Sequence, residues 1–193
     1  SAGGSGGPQM HRSEWQKILI ENGYFARSVP KEYGGYGGEA DIIKSRIIAA
    51  EFSKSKTPTP MGGQGIDMLV PTLLEMGTEE QKQAYIKSTL HGEMIWCQGY
   101  SEPNAGSDLA SLKTTAVREG DEYVVNGTKT WTTLGQHADW IFCLVRTGAA
   151  DVKNQNAISF FPTLRSSGFP TYFYYSFYYT LHCFAMVTTR NIL

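Results

Sequence analysis

Apolar residues in the first ninety positions recur every three to four residues, which is the spacing of an amphipathic helix. The pattern predicts four helices, over residues 13–22, 41–54, 66–76 and 79–90. Glycine follows three of these segments at the position where a helix ends. The second predicted helix carries an apolar stripe, and its members are Ile43, Ile47, Ile48, Ala50 and Phe52.

Beyond residue 93 the apolar spacing changes to about two residues, which indicates β-strands. Strands are predicted over residues 94–100, 113–118, 122–125, 128–133, 139–146 and 157–161. Asn126-Gly127 is a typical hairpin turn, and Gly120-Asp121 is expected to turn the chain as well. The predicted fold class is therefore α+β: an all-helical N-terminal domain followed by meandering antiparallel strands that form a small barrel or sandwich.

Both ends of the sequence differ in composition from its middle. Residues 1–8 are Ser, Ala, Gly and Pro, the composition of a flexible linker. All 18 acidic residues lie within the first 151 positions, and residues 172–179 are nearly all aromatic. We expect a linker over 1–8, a helical domain over 9–92, an incomplete β domain over 93–161 and an atypical tail over 162–193. Such a tail is what a frame-shifted or mis-joined reading frame would produce.

Charge and cysteine content restrict the function classes. Seventeen basic and 18 acidic residues leave a net charge of −1, so no broad field would recruit nucleic acid or a membrane surface. With no signal peptide and no apolar run of membrane-spanning length, the sequence predicts a soluble cytoplasmic protein. Cys97, Cys143 and Cys183 are expected to be reduced thiols. The four histidines lack the spacing of a metal site or a catalytic triad, so no metal is expected.

Two polar segments carry the candidate chemistry. Residues 101–108, with the sequence SEPNAGSD, form a turn that can direct several N–H groups and hydroxyls at one ligand. Residues 129–133, KTWTT, add a flat aromatic side chain between hydroxyls. Together they favour a site for a planar cofactor joined to phosphates, such as a flavin nucleotide. Taken singly, the turn is equally well an ordinary connector, and a strand tryptophan is more often part of a core.

Four motifs in this order resemble the acyl-CoA dehydrogenase family. They are Pro30–Gly35, Gly77–Lys82, Ser101–Asp108 and Glu122–Thr133, and the resemblance extends from Trp15 to Phe161. The variants at 96–100 and 139–143 look most like bacterial members of the broader subgroup, some of which act on bulky acyl-CoA thioesters. The resemblance implies a helical N-terminal domain, a middle β domain and a C-terminal four-helix bundle, with FAD between the last two.

The resemblance also implies roles for individual residues. Those expected to line FAD are Gln98, Gly99, Tyr100, Ser101, Gly106, Ser107, Trp131, Thr132 and Thr133. Ser101 would lie near the pyrimidine edge, Trp131 would pack beside the isoalloxazine, and the Thr133 hydroxyl would bond near N5. Ser107 would also contact the acyl-CoA substrate. No catalytic residue is expected in this sequence, because the family's carboxylate base lies on the C-terminal bundle.

The implied reaction is FAD-dependent α,β-dehydrogenation of an acyl-CoA thioester to a trans-2-enoyl-CoA. A flavin-linked acceptor such as electron-transfer flavoprotein would reoxidise the cofactor, and the full-length family forms homo-oligomers. We expect this chain, without the bundle, to be an incomplete and inactive dehydrogenase. Two alternatives stay open: a non-catalytic flavin- or acyl-CoA-binding or scaffold protein built on this fold, and a flavin oxidase that passes electrons to oxygen.

Overall fold

The α-helices in the described part of the protein all precede its strands. The computed structural model describes residues 10–148, 157–164, 171–173 and 179–188. The α-helices of this described part are α1 (Arg12–Glu21), α2 (Ile42–Ser55), α3 (Val70–Met76) and α4 (Glu79–Leu90). A π-helical turn at Gly65–Leu69 leads directly into α3. The four predicted helices are thus confirmed, and no helix in the described part is long and apolar enough to cross a bilayer.

Helix α2 forms as predicted, but its apolar stripe is not buried. The helix forms, but it contains no buried residue. Ile43 and Ile47 are 73% and 58% exposed, while Ile48 and Phe52 are only partly buried. The apolar stripe is therefore present, but it lies largely open among the described residues. Periodicity reports which side chains share a face, whereas burial depends on whether another element packs there.

Seven strands in the described part form one sheet. They are β1 (Trp96–Gly99), β2 (Thr115–Glu119), β3 (Glu122–Thr130), β4 (Trp140–Arg146), β5 (Ile158–Leu164), β6 (Thr171–Phe173) and β7 (Tyr179–Thr188). The order is β1-β4-β2-β3-β7-β6, and β5 also pairs with β4. The α+β arrangement is therefore confirmed. The sheet is mixed rather than a plain antiparallel meander, because β1 and β2 both run parallel to β4.

The Asn126-Gly127 pair does not form the predicted hairpin turn. Both residues lie inside β3, where Asn126 pairs with Thr115 on one side and with Phe184 on the other. The turn between β2 and β3 occurs instead at Gly120, whose φ of +64° places it in the left-handed region. Hydrogen-bonded neighbours on both sides of β3 outweigh the local preference of an Asn-Gly pair for a turn.

Strands continue beyond Phe161, where the sequence predicts none. Strand β5 runs on to Leu164, and β7 pairs with β3 at every position from Glu122↔Thr188 to Thr130↔Thr180. The aromatic run at 172–179 is described only in part, as the end of β6 and the start of β7. Residues 174–178 lie outside the described residues, as does the side chain of Cys183.

The sheet has an apolar core on each face, since side chains alternate along β4. Phe142 packs on the helical side against Trp96, in a cluster that also contains Tyr85 of α4. Its neighbours in sequence, Ile141 and Cys143, point to the opposite core. Cys97 and Cys143 are buried free thiols, as predicted. The end of β1 is thereby held between two packed layers, and this is where the first polar motif begins.

Candidate functional site

The two polar motifs meet where β1 and β3 end. The Thr130 N–H donates to the Ser101 carbonyl at 2.8 Å. The Lys129 ammonium, Nζ, donates to the Tyr100 carbonyl at 3.1 Å. Residues 100–101 and 129–130 are therefore tied together by direct hydrogen bonds. The structure brings into one place the two segments that the sequence singled out.

A buried carboxylate lies beneath the turn. Glu102 is 7% exposed, and its Oε1 accepts hydrogen bonds from Lys129 Nζ at 2.9 Å, from the Thr114 hydroxyl at 2.6 Å and from the Thr114 N–H at 2.9 Å. Its Oε2 accepts from the Lys113 N–H at 2.6 Å. Four donors thus converge on one side chain. Lys129 itself is fully buried, so both charges of this pair are removed from water.

The protonation of Glu102 follows from these contacts. Burial alone would raise the pKa of its carboxyl group. The hydrogen bonds from the Thr114 hydroxyl, the Lys129 ammonium and two backbone N–H groups outweigh burial, and the pKa falls below its ordinary value. Glu102 is therefore a carboxylate at neutral pH, with its oxygens already engaged by donors.

The turn itself is compact and presents its far side to solvent. The Glu102 N–H donates to the Ala105 carbonyl at 2.8 Å, and the Ala105 N–H donates back at 3.1 Å. Ala105 is buried, whereas Gly106 and Ser107 are exposed. A Cβ at Gly106 would meet nothing within 4 Å. The surface formed by Gly106 and Ser107 is consequently open to a ligand.

Trp131 is exposed and does not lie in a core. Its side chain is 58% exposed and its φ is +59°, a left-handed conformation that is uncommon for a bulky residue. Thr132 is fully buried, and Thr133 is exposed. The alternative that Trp131 is a core tryptophan is wrong. An exposed aromatic ring on a strained backbone is a feature that concentrates at ligand sites.

Two buried hydroxyls accompany Trp131. Thr130 Oγ1 and Thr132 Oγ1 are shielded from solvent and have no hydrogen-bond partner among the described residues. Buried polar atoms are normally paired, so such atoms call for an explanation. A ligand with donors or acceptors on its edge would provide partners at this position.

The other predicted cofactor residues divide between the two faces of the sheet. Tyr100 packs edge-on against Phe142 on the helical side, and burial raises the pKa of its phenol. Gln98 donates from Nε2 to the Met68 sulfur at 3.3 Å on the same side. Gly99 faces the opposite core, where an added Cβ would lie 3.1 Å from Ile141 Cδ1 and closer still to a cysteine sulfur. Packing therefore explains the glycine at position 99, because a larger side chain would crowd the residues of this core.

The sequence did not single out Glu102 and Lys129 as a pair. Both belong to the quoted motifs, but nothing in their spacing links them, since they are separated by 27 residues. No local signal marks Lys129 as buried either, because the polar residues Thr128 and Thr130 flank it in the sequence. Histidine, cysteine and acidic side chains form no group that could hold a metal within the described part.

Comparison with protein families identifies the two parts of the chain. Residues 6–93 match the N-terminal domain of acyl-CoA dehydrogenases, and residues 97–169 match the middle domain. The chain belongs to the acyl-CoA dehydrogenase family. The middle-domain match of this acyl-CoA dehydrogenase chain continues past Phe161, where the resemblance was expected to end.

Individual relatives agree with this assignment. Acyl-CoA dehydrogenase FadE26 of Mycobacterium tuberculosis (strain ATCC 25618 / H37Rv) is 42% identical over 140 residues, which is 72% of this chain and 34% of FadE26. The solved Tcur3481-Tcur3483 steroid ACAD superimposes with a TM-score of 0.75 at 32% identity, covering 95% of this chain and 48% of that one. An acyl-CoA dehydrogenase from Geobacillus kaustophilus gives 0.74 at 33% identity, with 95% and 50% covered. The chain thus spans a third to a half of these relatives.

Proposed function

We propose that the surface formed by residues 101–108 and 130–133 of this acyl-CoA dehydrogenase chain binds FAD and acyl-CoA. The observations that carry the proposal are the exposed, left-handed Trp131 and the open Gly106, on two segments that the Thr130–Ser101 backbone hydrogen bond joins. A flavin has a planar ring with a hydrogen-bonding edge. The flat indole, the exposed hydroxyls and the unpaired buried hydroxyl of Thr132 suit these properties.

Each side chain has a distinct role in this proposal. Trp131 supplies a flat surface for the ring, and the Ser101, Ser107 and Thr133 hydroxyls donate hydrogen bonds to polar edges. Such donors are uncharged and are held in place before binding, so they stabilise negative charge as it develops. Bound FAD would supply the hydride acceptor for α,β-dehydrogenation. Gln98, Gly99 and Tyr100 support the site through the backbone of β1 and its packing.

Glu102 is not the base that removes the substrate α-proton. A general base must have a free lone pair directed at the proton that it accepts. Both oxygens of Glu102 already accept hydrogen bonds, and the lowered pKa makes its carboxylate a weak proton acceptor. The family resemblance places the base on a C-terminal bundle. Dehydrogenation to a trans-2-enoyl-CoA is therefore proposed for the whole dehydrogenase, with a flavin-linked electron acceptor and homo-oligomeric assembly.

Titration of the purified chain with FAD tests the proposal. We expect weak, saturable binding that quenches tryptophan fluorescence, and Trp131→Ala should weaken it about tenfold, the scale of one lost stacking contact. Val117→Ala is the matched control, because Val117 on β2 is 59% exposed and lies outside the surface. Wild-type protein that does not bind FAD, or equal affinity in Trp131→Ala, would contradict the proposal.

Redox assays distinguish a dehydrogenase from the two alternatives, a non-catalytic binding protein and an oxidase. Stoichiometric FAD without reduction of a dye by any acyl-CoA would favour the non-catalytic binding protein. Release of hydrogen peroxide by a full-length version would favour an oxidase. Dye reduction that depends on an acyl-CoA, again in a full-length version, is the result expected for a dehydrogenase.

A further inference from the structure

We propose that Glu102 and Lys129 are positioning residues, a buried pair that fixes the 101–108 turn against the end of β3 before any ligand binds. The identity of the ligand rests on the proposed function. The positioning itself is a property of the free chain and can be measured there. The hydrogen bonds of the pair reach the Tyr100 carbonyl and the backbone N–H groups of Lys113 and Thr114, so the pair acts through the turn that it holds.

Hydrogen bonds from these two side chains connect three segments. Lys129 Nζ donates to the Tyr100 carbonyl and to Glu102 Oε1, which joins β3 to both sides of Ser101. The Glu102 carboxylate also accepts from the Lys113 and Thr114 N–H groups, at the far end of the same loop. One carboxylate thus closes the base of the loop that carries Ser107. Without it, the backbone bond from Thr130 to Ser101 would be the main direct link between the two motifs.

Charge at this position is difficult to explain by stability alone. Removing two ions from water is costly, and replacing a buried ion pair with apolar residues of similar size is often neutral or stabilising. What apolar side chains cannot reproduce is the set of directed bonds to the Tyr100 carbonyl and to two N–H groups. A purely apolar pair would bury the same surface but leave the turn free to shift. The structure therefore favours a role in geometry.

Local hydrogen exchange in the ligand-free full chain tests this inference. The variants are Glu102→Gln, which keeps the side-chain shape, and the double variant Glu102→Gln/Lys129→Met, which leaves no buried charge unpaired. The matched control is Glu93→Gln/Lys17→Met, which removes a half-exposed ion pair with a 2.7 Å contact outside the site. Mass spectrometry would compare amide exchange in residues 101–108 and 130–135 with exchange in the buried strand β4. The thermal midpoint of unfolding would be measured separately for each variant.

The expected result is selective. In the double variant, exchange in residues 101–108 and 130–135 should become about tenfold faster, as for the loss of one charge-assisted hydrogen bond, while β4 and the thermal midpoint stay near wild type. Glu102→Gln should accelerate exchange in the same residues and, because it leaves the buried Lys129 ammonium unpaired, should also lower the thermal midpoint. The control should match wild type. Unchanged exchange in the turn, or equal acceleration throughout the sheet, would overturn the inference. A wild-type chain that fails to bind FAD would overturn the proposed function alone, since exchange is measured without FAD.

Discussion

The Lys129 ammonium lies 2.9 Å from Oε1 of Glu102, with both side chains buried, although 27 residues separate them in sequence. The contact joins a strand end to the base of a turn. It also places a negative charge where a hydroxyl and two N–H groups already converge. This relationship makes the stability of the protein dependent on the ionisation of one carboxyl group.

Acid should weaken the folded protein through Glu102. Because its folded pKa lies below its unfolded value, the ionised group contributes stability above the unfolded pKa, and this contribution is lost as pH falls through the folded pKa. The free energy of unfolding by urea should therefore fall more steeply in wild type than in Glu102→Gln/Lys129→Met as pH drops below about 4, the ordinary carboxyl range. Parallel profiles would contradict this prediction.

Trp131 should show the stability pattern of a strained position. Trp131→Gly and Trp131→Ala both remove the ring, but only glycine adopts the left-handed backbone without cost, so the glycine variant should be about 1 kcal/mol more stable. At Val117, in an ordinary extended strand, glycine should instead be the less stable of the two by about 0.5 kcal/mol or more. Urea unfolding of the four variants measures both differences. If the glycine variant were less stable than the alanine variant at position 131 as well, the backbone of Trp131 would not be strained.

Two glycines near the site should differ in their sensitivity to substitution by alanine. A Cβ at Gly127 would come within 2.6 Å of Thr114 Cβ and 2.7 Å of its Cα, so Gly127→Ala must displace a residue that donates to Glu102. We expect a loss of about 1–3 kcal/mol, the usual cost of overpacking. Gly106→Ala has open space around it and should change stability by less than about 0.5 kcal/mol. Comparable losses in both variants would argue against a specific clash at Gly127.

Alkaline pH should weaken the helical domain through Tyr33. Its hydroxyl donates to Glu79 Oε2 at 2.8 Å, and this bond, together with burial, raises the pKa of Tyr33 to about 12 from an ordinary 10.0. Because the folded pKa is raised, the neutral hydroxyl contributes its full stability below the unfolded pKa. This stability is lost as pH rises through the folded pKa. As pH rises from 10.0 to about 12, the urea concentration at the midpoint of unfolding should fall more steeply for wild type than for Tyr33→Phe.

Two further variants separate the causes of the Tyr33 shift. Glu79→Gln should reduce the alkaline slope nearly as much as Tyr33→Phe does, because it removes both the charge and the strongest acceptor. Glu32→Gln is the matched control, since Glu32 acts on Tyr33 only through its charge and has the smallest influence of the four causes. An equal effect of the two glutamine variants would show that the hydrogen bond is not the main cause.

Helix α2 and Asn126-Gly127 show where local patterns fail. The α2 stripe correctly indicated a helix, but nothing described packs over Ile43 and Ile47. The Asn-Gly pair has the local preference of a turn, yet it stays extended because β2 and β7 pair with β3 on its two sides. In each instance the decisive partner is distant in sequence. Local propensity is a weak contribution that packing and sheet pairing override.

The sequence by itself determined the order of helices and strands, the family and the two polar motifs, because periodicity and motif order are local properties of the chain. Only the tertiary structure decided that Trp131 is exposed, that the two motifs meet, and that Glu102 and Lys129 pair beneath them. A buried charge is stable only where donors from several segments converge on it. That convergence depends on how β1, β3 and the loop between them are placed, which no stretch of sequence specifies alone.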